Sequence, residues 1–242
     1  MIISTFSPAW LLMFAVQLIL IAVLTLLGRG RSVEKKEHLI LGLFSFICVF
    51  YVFYKGYLIS PRCQIDTCFW NELPLALCQV ASMMILPAVL TKNRILYGFV
   101  FFVSSLCSLM GLLMPVDGFH DIPLLSPESI GYFGFHGLVF VQAILVYTLG
   151  LYRPLGRDVP KIMALLALIA LAVHGINFLL RCTVYPKANY FFTYFHEDNP
   201  VLKLFRGFID INYVYLLPLL VPAGLVVWIL ALLLREKKKV KN

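Results

Sequence analysis

The sequence predicts an all-α membrane protein: a single domain over residues 1–242, built as a bundle of seven transmembrane helices. Three observations predict it. The 242 residues are 61% hydrophobic and 13% charged, whereas soluble domains are about 45–50% apolar and about 25% charged. Seven apolar stretches are each long enough to cross a bilayer, at roughly 20 residues per span. The basic residues fall in short loops between those stretches, so the net charge of +8 reflects topology and not a nucleic-acid surface. The segment Met1–Gly28 lacks a basic leading region and is long enough to be a span itself, so no cleavable leader is expected. No metal motif, P-loop or dinucleotide fingerprint occurs, and neither a metal nor another cofactor is expected.

Span one covers about 8–27, with Trp10 as an interfacial anchor. A strongly basic loop from Arg29 to His38 leads into span two, 39–58, whose last two turns carry Tyr51, Tyr54 and Lys55. The loop 60–72 holds Cys63, Cys68 and Trp70. Span three is 73–91, because Pro74 costs little in the first turn of a helix, where its missing N–H would have no intrahelical partner. A Lys92-Asn93-Arg94 turn connects to span four, 95–114, which stops at Pro115. The next loop has no basic residue but carries Asp117, His120, Asp121 and Glu128. Span five is 131–151, span six 162–180, and span seven 213–234 before a basic tail. The loop between six and seven is rich in Tyr and Phe.

Seven spans place alternate loops on opposite sides. Fourteen of the twenty Lys and Arg residues then lie on the side of the C-terminus and six on the other. The positive-inside rule puts the N-terminus outside and the C-terminus in the cytoplasm. No internal repeat of the inverted-transporter kind is visible.

This orientation gathers polar residues at one depth. A helix starting at Leu73 places Cys78 about one and a half turns inside, roughly 7–8 Å deep, and puts Asn71, Pro74, Cys78 and Ser82 on one face. His136 lies about 7–8 Å below the outer end of span five, His174 about 9 Å and Asn177 about 4–5 Å below that of span six. Ionisable residues inside a membrane are costly and generally face the bundle interior or a wet cavity. His174, Asn177 and Arg181 form one stripe at i, i+3 and i+7, with Arg181 at its mouth as a clamp for an anionic headgroup. Gly134 and Gly137 flank His136, and Gly175 follows His174, which permits close helix approach. The plain alternatives stand beside this. A cysteine in an apolar helix is ordinarily a small buried hydrophobe, and the histidines and Asn177 also serve as hydrogen-bonding glue between helices. A thiol beside an imidazole is the chemical pair of nucleophilic catalysis: a thiol with a pKa of about 8.5 needs a base near neutrality. His136 is the first choice for that base and His174 the fallback. Cys63, Cys68 and Cys182 are in or beside non-cytoplasmic loops where one disulfide can persist, with the pairing open.

Several features together resemble the YwaF family of bacterial integral membrane proteins, related to the transmembrane protein 164 acyltransferase family. They are Leu73-Pro74-Leu75-Ala76-Leu77-Cys78, the Gly111-Leu112-Leu113-Met114-Pro115 end of span four, His136 with its glycines, and Asn177 followed by Asn189-Tyr190. The similarity runs over about 70–190. Many YwaF-type sequences carry a histidine where this chain has Ala76. The resemblance implies a multi-pass protein of the bacterial plasma membrane and a lipid acyltransferase using Cys78 and His136. The polar stripe on span six and the face that Cys78 shares make His174, Asn177, Arg181 and Asn71 the candidate substrate-binding residues. The partners are then membrane lipids as phospholipid acyl donor and acceptor, and no protein partner is inferable. The competing reading is a non-catalytic carrier or receptor that binds a lipid or small molecule in the same polar cavity.

Overall fold

The computed structural model describes residues 2–3, 6–63, 65, 67–115, 119, 122–196 and 200–235. Asp117, His120, Asp121 and the basic tail from Glu236 lie outside them. The architecture is all-α apart from a two-residue antiparallel pairing of β1 (Ile2–Ile3) with β2 (Ile122–Pro123). Among the described residues, six helical stretches are long and apolar enough to cross a membrane: Pro8–Gly28, Val33–Leu58, Arg94–Leu113, Pro127–Thr148, Gly156–Thr183 and Val214–Leu233. The chain divides into two compact units, Met1–Tyr152 and Arg153–Asn242, within what the sequence presents as one domain.

In the first unit, α1 (Pro8–Gly28) and α2 (Val33–Leu58) begin on serine caps. Ser7 Oγ accepts from Trp10 N at 3.2 Å and Ser32 Oγ from Lys35 N at 3.4 Å. Each cap satisfies one of the donors a helix leaves free at its N-terminus. The α2 helix starts six residues before the expected span because this cap extends it into the basic loop. Two short helices follow, α3 (Leu77–Met83) and α4 (Ile85–Thr91), joined at Met84. They replace the expected third span. Residues 73–76 are turns and bends, so the helix starts at Leu77 with Pro74 outside it. Together the 15 residues of 77–91 rise only about 22 Å, short of a hydrocarbon core of about 30 Å. The α5 helix (Arg94–Phe99), capped by Asn93 Oδ1 on Ile95 N at 2.8 Å, passes through a π-helical segment, Val100–Ser104, into α6 (Ser105–Leu113). The π segment is fully buried against α3 and α7, and nothing in the residue pattern announces it.

The central element is α7 (Pro127–Thr148), packed against α1, α2, α3 and α6. Its glycines carry this packing. A Cβ at Gly131 would strike the Tyr54 ring, one at Gly134 would sit 3.0 Å from Phe50, and one at Gly137 would strike the Gln17 amide. Polar links tie the ends of the helices. Trp10 Nε1 donates to Leu112 O at 2.8 Å and Tyr57 OH to Glu128 Oε1 at 2.6 Å. At the other end, Thr25 and Thr148 hydroxyls lie 2.8 Å apart, and buried Glu37 pairs with Lys92 and accepts from Tyr97 OH at 2.8 Å. The second unit holds α8 (Val159–Thr183), α9 (Pro200–Phe208) and α10 (Leu220–Leu233), the last entered through a 3-10 turn, Val214–Leu219. Outward positions in both units are apolar, for example Ile19 at 62% and Val52 at 68% exposure, as expected of surfaces that face lipid.

The expected helix contact at Gly175 is absent: a Cβ there would meet nothing within 4 Å. Gly131→Ala should therefore destabilise the protein by about 1–3 kcal/mol through overpacking, read as a lowered unfolding temperature in detergent. Gly175→Ala should leave that temperature unchanged.

Candidate functional site

Cys78 is the second residue of α3, not one and a half turns inside a helix, because residues 73–76 are not helical. Only Ser82 shares its helix face; Asn71 ends a 3-10 turn, Phe69–Asn71, and is exposed. The start of α3 is built unusually. Ala76 occupies the cap and offers no side-chain acceptor, while Gln79 reaches back so that its Oε1 accepts from Ala76 N at 2.7 Å, one half of a capping box. The first amides of a helix have no intrahelical acceptor, and those of Cys78 and Gln79 point toward the Cys78 sulfur.

The structure brings His136 to that thiol. Cys78 Sγ and His136 Nε2 are 3.7 Å apart, across α3 and α7. The other ring nitrogen, Nδ1, is 2.9 Å from Tyr132 O. A carbonyl only accepts, so Nδ1 carries the proton in the neutral ring and Nε2 presents its lone pair to the thiol. The ring is fixed on its faces and edges too. Tyr132 lies 4.4 Å away between centroids and Phe135 5.5 Å. On the third side stands Gly111 of α6, where a Cβ would come within 2.8 Å of Nε2. Sequence reasoning finds Cys78 and His136 but misses Gly111 as their packing partner; its signal is a glycine one turn before a helix-ending proline. Cys78 is buried, at 9% exposure, among Trp10, Tyr51, Tyr54, Leu112 and Phe119. At the edge of this cluster, Glu72 pairs with Lys55 and also accepts from Thr67 Oγ1 at 2.5 Å, and its carbonyl oxygen accepts from Tyr51 OH at 3.0 Å. These bonds hold the non-helical approach to Cys78 against α2.

In the second unit the expected stripe exists, and its bonds go to a loop. Asn177 is fully buried. Its Oδ1 accepts from Tyr190 N at 3.0 Å, and its Nδ2 donates to Tyr190 O at 2.7 Å and Thr193 Oγ1 at 2.8 Å. Arg181 donates to Ala188 O at 3.1 Å and lies over the Tyr194 and Phe195 rings, at 4.6 and 4.9 Å. His174 stacks on Tyr194 at 4.8 Å and Tyr213 at 5.7 Å. Asn189 completes the arrangement by accepting from the amides of Tyr194 and Phe195, each at 3.0 Å. All six cysteines are free thiols, so the expected bridge among Cys63, Cys68 and Cys182 is not formed. Cys63 Sγ instead accepts from Ile65 N at 3.4 Å, while Cys68 is exposed.

Two variants test these assignments. Gly111→Ala should push the imidazole off Sγ and slow iodoacetamide alkylation of Cys78, with the exposed Cys68 unaffected; an unchanged Cys78 rate would show that Gly111 does not hold the ring. Asn177→Ala removes the side-chain bonds to Tyr190 and Thr193, at a cost of about 1–3 kcal/mol. Hydrogen exchange should then lose protection specifically at 189–195.

A buried thiol facing an imidazole lone pair is able to act as a nucleophile with a base. No curated protein and no solved structure matches the chain. One family model does, described as the TMEM164 family, and it covers residues 5–232. With nearly the whole length matched, Cys78, Gly111, His136 and Asn177 included, the protein belongs to the TMEM164 family.

Proposed function

We propose that the protein is a membrane-embedded lipid acyltransferase in which Cys78 carries the acyl group and His136 moves the proton. The observation that carries this reading is the 3.7 Å Sγ–Nε2 contact with Nδ1 held on Tyr132 O. In the first step Nε2 takes the thiol proton and sulfur attacks the ester carbonyl carbon of a phospholipid. The tetrahedral oxyanion meets backbone amides at the start of α3, donors that lower the barrier because they need no reorganisation. The C–O bond breaks, the departing alkoxide takes the proton from Nε2, and a thioester remains on Cys78. An acceptor hydroxyl then gives its proton to Nε2 and attacks the thioester. The thiolate leaves and recovers the proton. His136 keeps one tautomer at the start of both halves, since the Tyr132 carbonyl accepts only from Nδ1–H.

The topology that suits this chemistry is seven crossings, with α3 and α4 together as the third, the N-terminus outside and the C-terminus in the cytoplasm of a bacterial cell. Non-helical backbone at membrane depth is tolerated where protein buries it or a cavity is lined by it, and half-buried residues 73–76 meet that condition. The pair then faces the outer leaflet. A reporter fused after Asn242 should be active only in the cytoplasm; activity outside would overturn this placement. Asn71 is the proposed substrate-side residue of the first unit; His174, Asn177 and Arg181 are proposed lipid contacts of the second unit, acting through the loop they hold. If so, Asn177→Ala raises KM for the lipid more than it lowers kcat.

The decisive test is thioester capture. Intact-protein mass spectrometry of wild-type protein incubated with phospholipid should show one acyl adduct, sensitive to hydroxylamine and lost in Cys78→Ala. His136→Ala should slow its formation by about 10²-fold or more, the usual range for a positioned base. The double variant should be little worse than either single one, because the two groups act as a unit. A Cys78→Ser protein that retains full biological activity would instead identify a non-covalent lipid carrier.

A further inference from the structure

We infer that the apolar cavity between α2, α3 and α7 holds the hydrocarbon tail of the acyl chain that Cys78 carries, an inference that rests on the acyl-transfer reading above. The cavity has a volume of about 270 Å³. Its walls are Phe44, Ile47, Cys48 and Val52 of α2, Met83 of α3 and Phe135 of α7. Two polar residues also line it, Gln79 and Ser82, but their oxygens are engaged elsewhere. Gln79 Oε1 accepts from Ala76 N at 2.7 Å, and Ser82 Oγ donates to Gln142 Oε1 at 2.5 Å. Almost none of the cavity surface is polar. A headgroup or a sugar would lose its hydrogen bonds to water there without replacement. An alkyl chain loses nothing.

The cavity also begins in the right place. Pro74 and Ser82, four residues before and four after Cys78, both line it. Phe135 forms part of the wall and packs its ring against His136 at 5.5 Å. Tyr51 lines the cavity 5.1 Å from Phe135 and belongs to the same buried cluster as Cys78. From Phe44 to Val52 the α2 wall rises about 12 Å, so the space runs along the helix axis. Val52 is 68% exposed, which places the rim on an outward face where a lipid tail enters sideways. The volume takes on the order of nine methylene-sized groups, with the roughly 30 Å³ of a water as the unit. Each methylene buried is worth about fourfold in affinity. Chain length should therefore be selected by α2, not by the thiol.

The test uses full-length protein in phosphatidylcholine vesicles containing a phosphatidylcholine with a mid-chain diazirine. After irradiation and digestion, adducts are expected on Phe44, Ile47, Cys48, Val52 and Met83. Cys78→Ala should show the same adducts, because insertion reports occupancy and not chemistry. Cys48→Phe fills the cavity and should lower the adducts about 16-fold, the loss expected when space for roughly two methylenes is removed. Cys48→Leu, a smaller filling that keeps an aliphatic wall, should lower them partly. Val49→Phe, on a position 55% exposed on the same helix, should change nothing. Among Cys78 thioesters, Cys48→Phe should shift the bound chains toward shorter ones. Adducts confined to outward residues such as Val49 and Phe53, or yields unaltered by both Cys48 variants, would overturn the tail site while leaving the thioester result standing. Cavity adducts without any thioester on wild-type protein would overturn the acyl-transfer reading and leave a lipid-tail site alone.

Discussion

The close approach of α1 and α2 to α7 is the contact on which the first unit depends. Gly131, Gly134 and Gly137 leave out three side chains, and Tyr54, Phe50 and Gln17 occupy that space. In lipid there is little hydrophobic gain from joining two apolar helices, so packing and interhelical hydrogen bonds must hold them. Small residues on the central helix maximise the first. The end-to-end links Trp10–Leu112, Tyr57–Glu128 and Thr25–Thr148 supply the second. The same glycine-lined helix presents His136. Its position relative to Cys78 is thus a by-product of how tightly α7 is gripped.

The thiol–imidazole pair is set by backbone as much as by side chains. A carbonyl one turn earlier on α7 selects the tautomer of His136. A broken helix start, with alanine at the cap, leaves the thiol beside the first amides of α3. A serine or aspartate at position 76 would claim one of those amides for itself. Gly111 closes the far side of the ring. Helix ends of this kind inside a membrane are costly unless protein surrounds them. Here Glu72, Lys55 and Tyr51 hold the approach from α2, and the π segment at 100–104 fills the opposite side.

The second unit spends its polar stripe on a strained loop. Phe191 and Phe192 both sit at left-handed φ, 59° and 56°, a conformation that costs on the order of 1–3 kcal/mol per residue. Asn177 and Asn189 together accept or donate six hydrogen bonds to the segment from Tyr190 to Phe195. Tyr213 N adds another to Thr193 O at 2.8 Å. These bonds offset the strain and fix where the aromatic side chains of the loop point. Arg181, stacked on two of those rings and bonded to Ala188 O, adds to that support.

The amino-acid sequence by itself determined the class of the protein, the limits of most of its apolar helices and the two residues, Cys78 and His136, whose thiol and imidazole meet. These follow from composition, from span length and from the cost of placing Cys78, His136 and Asn177 among apolar neighbours, all of which act locally along the chain. Two things were decided only by tertiary structure. Pro74 fits a helix start by its own chemistry, yet the helix begins at Leu77, because Glu72 and Gln79 tie residues 72–76 to α2 and to the cap. The stripe His174–Asn177–Arg181 has the correct spacing for one face, but spacing does not reveal what the face meets; the loop 188–195 claims its hydrogen bonds. The meeting of Sγ and Nε2 at 3.7 Å is likewise a matter of packing between α3 and α7. Helical periodicity fixes the depth and face of each residue on its own helix, and only the interlocking of side chains between helices fixes the rotation that turns those faces toward each other.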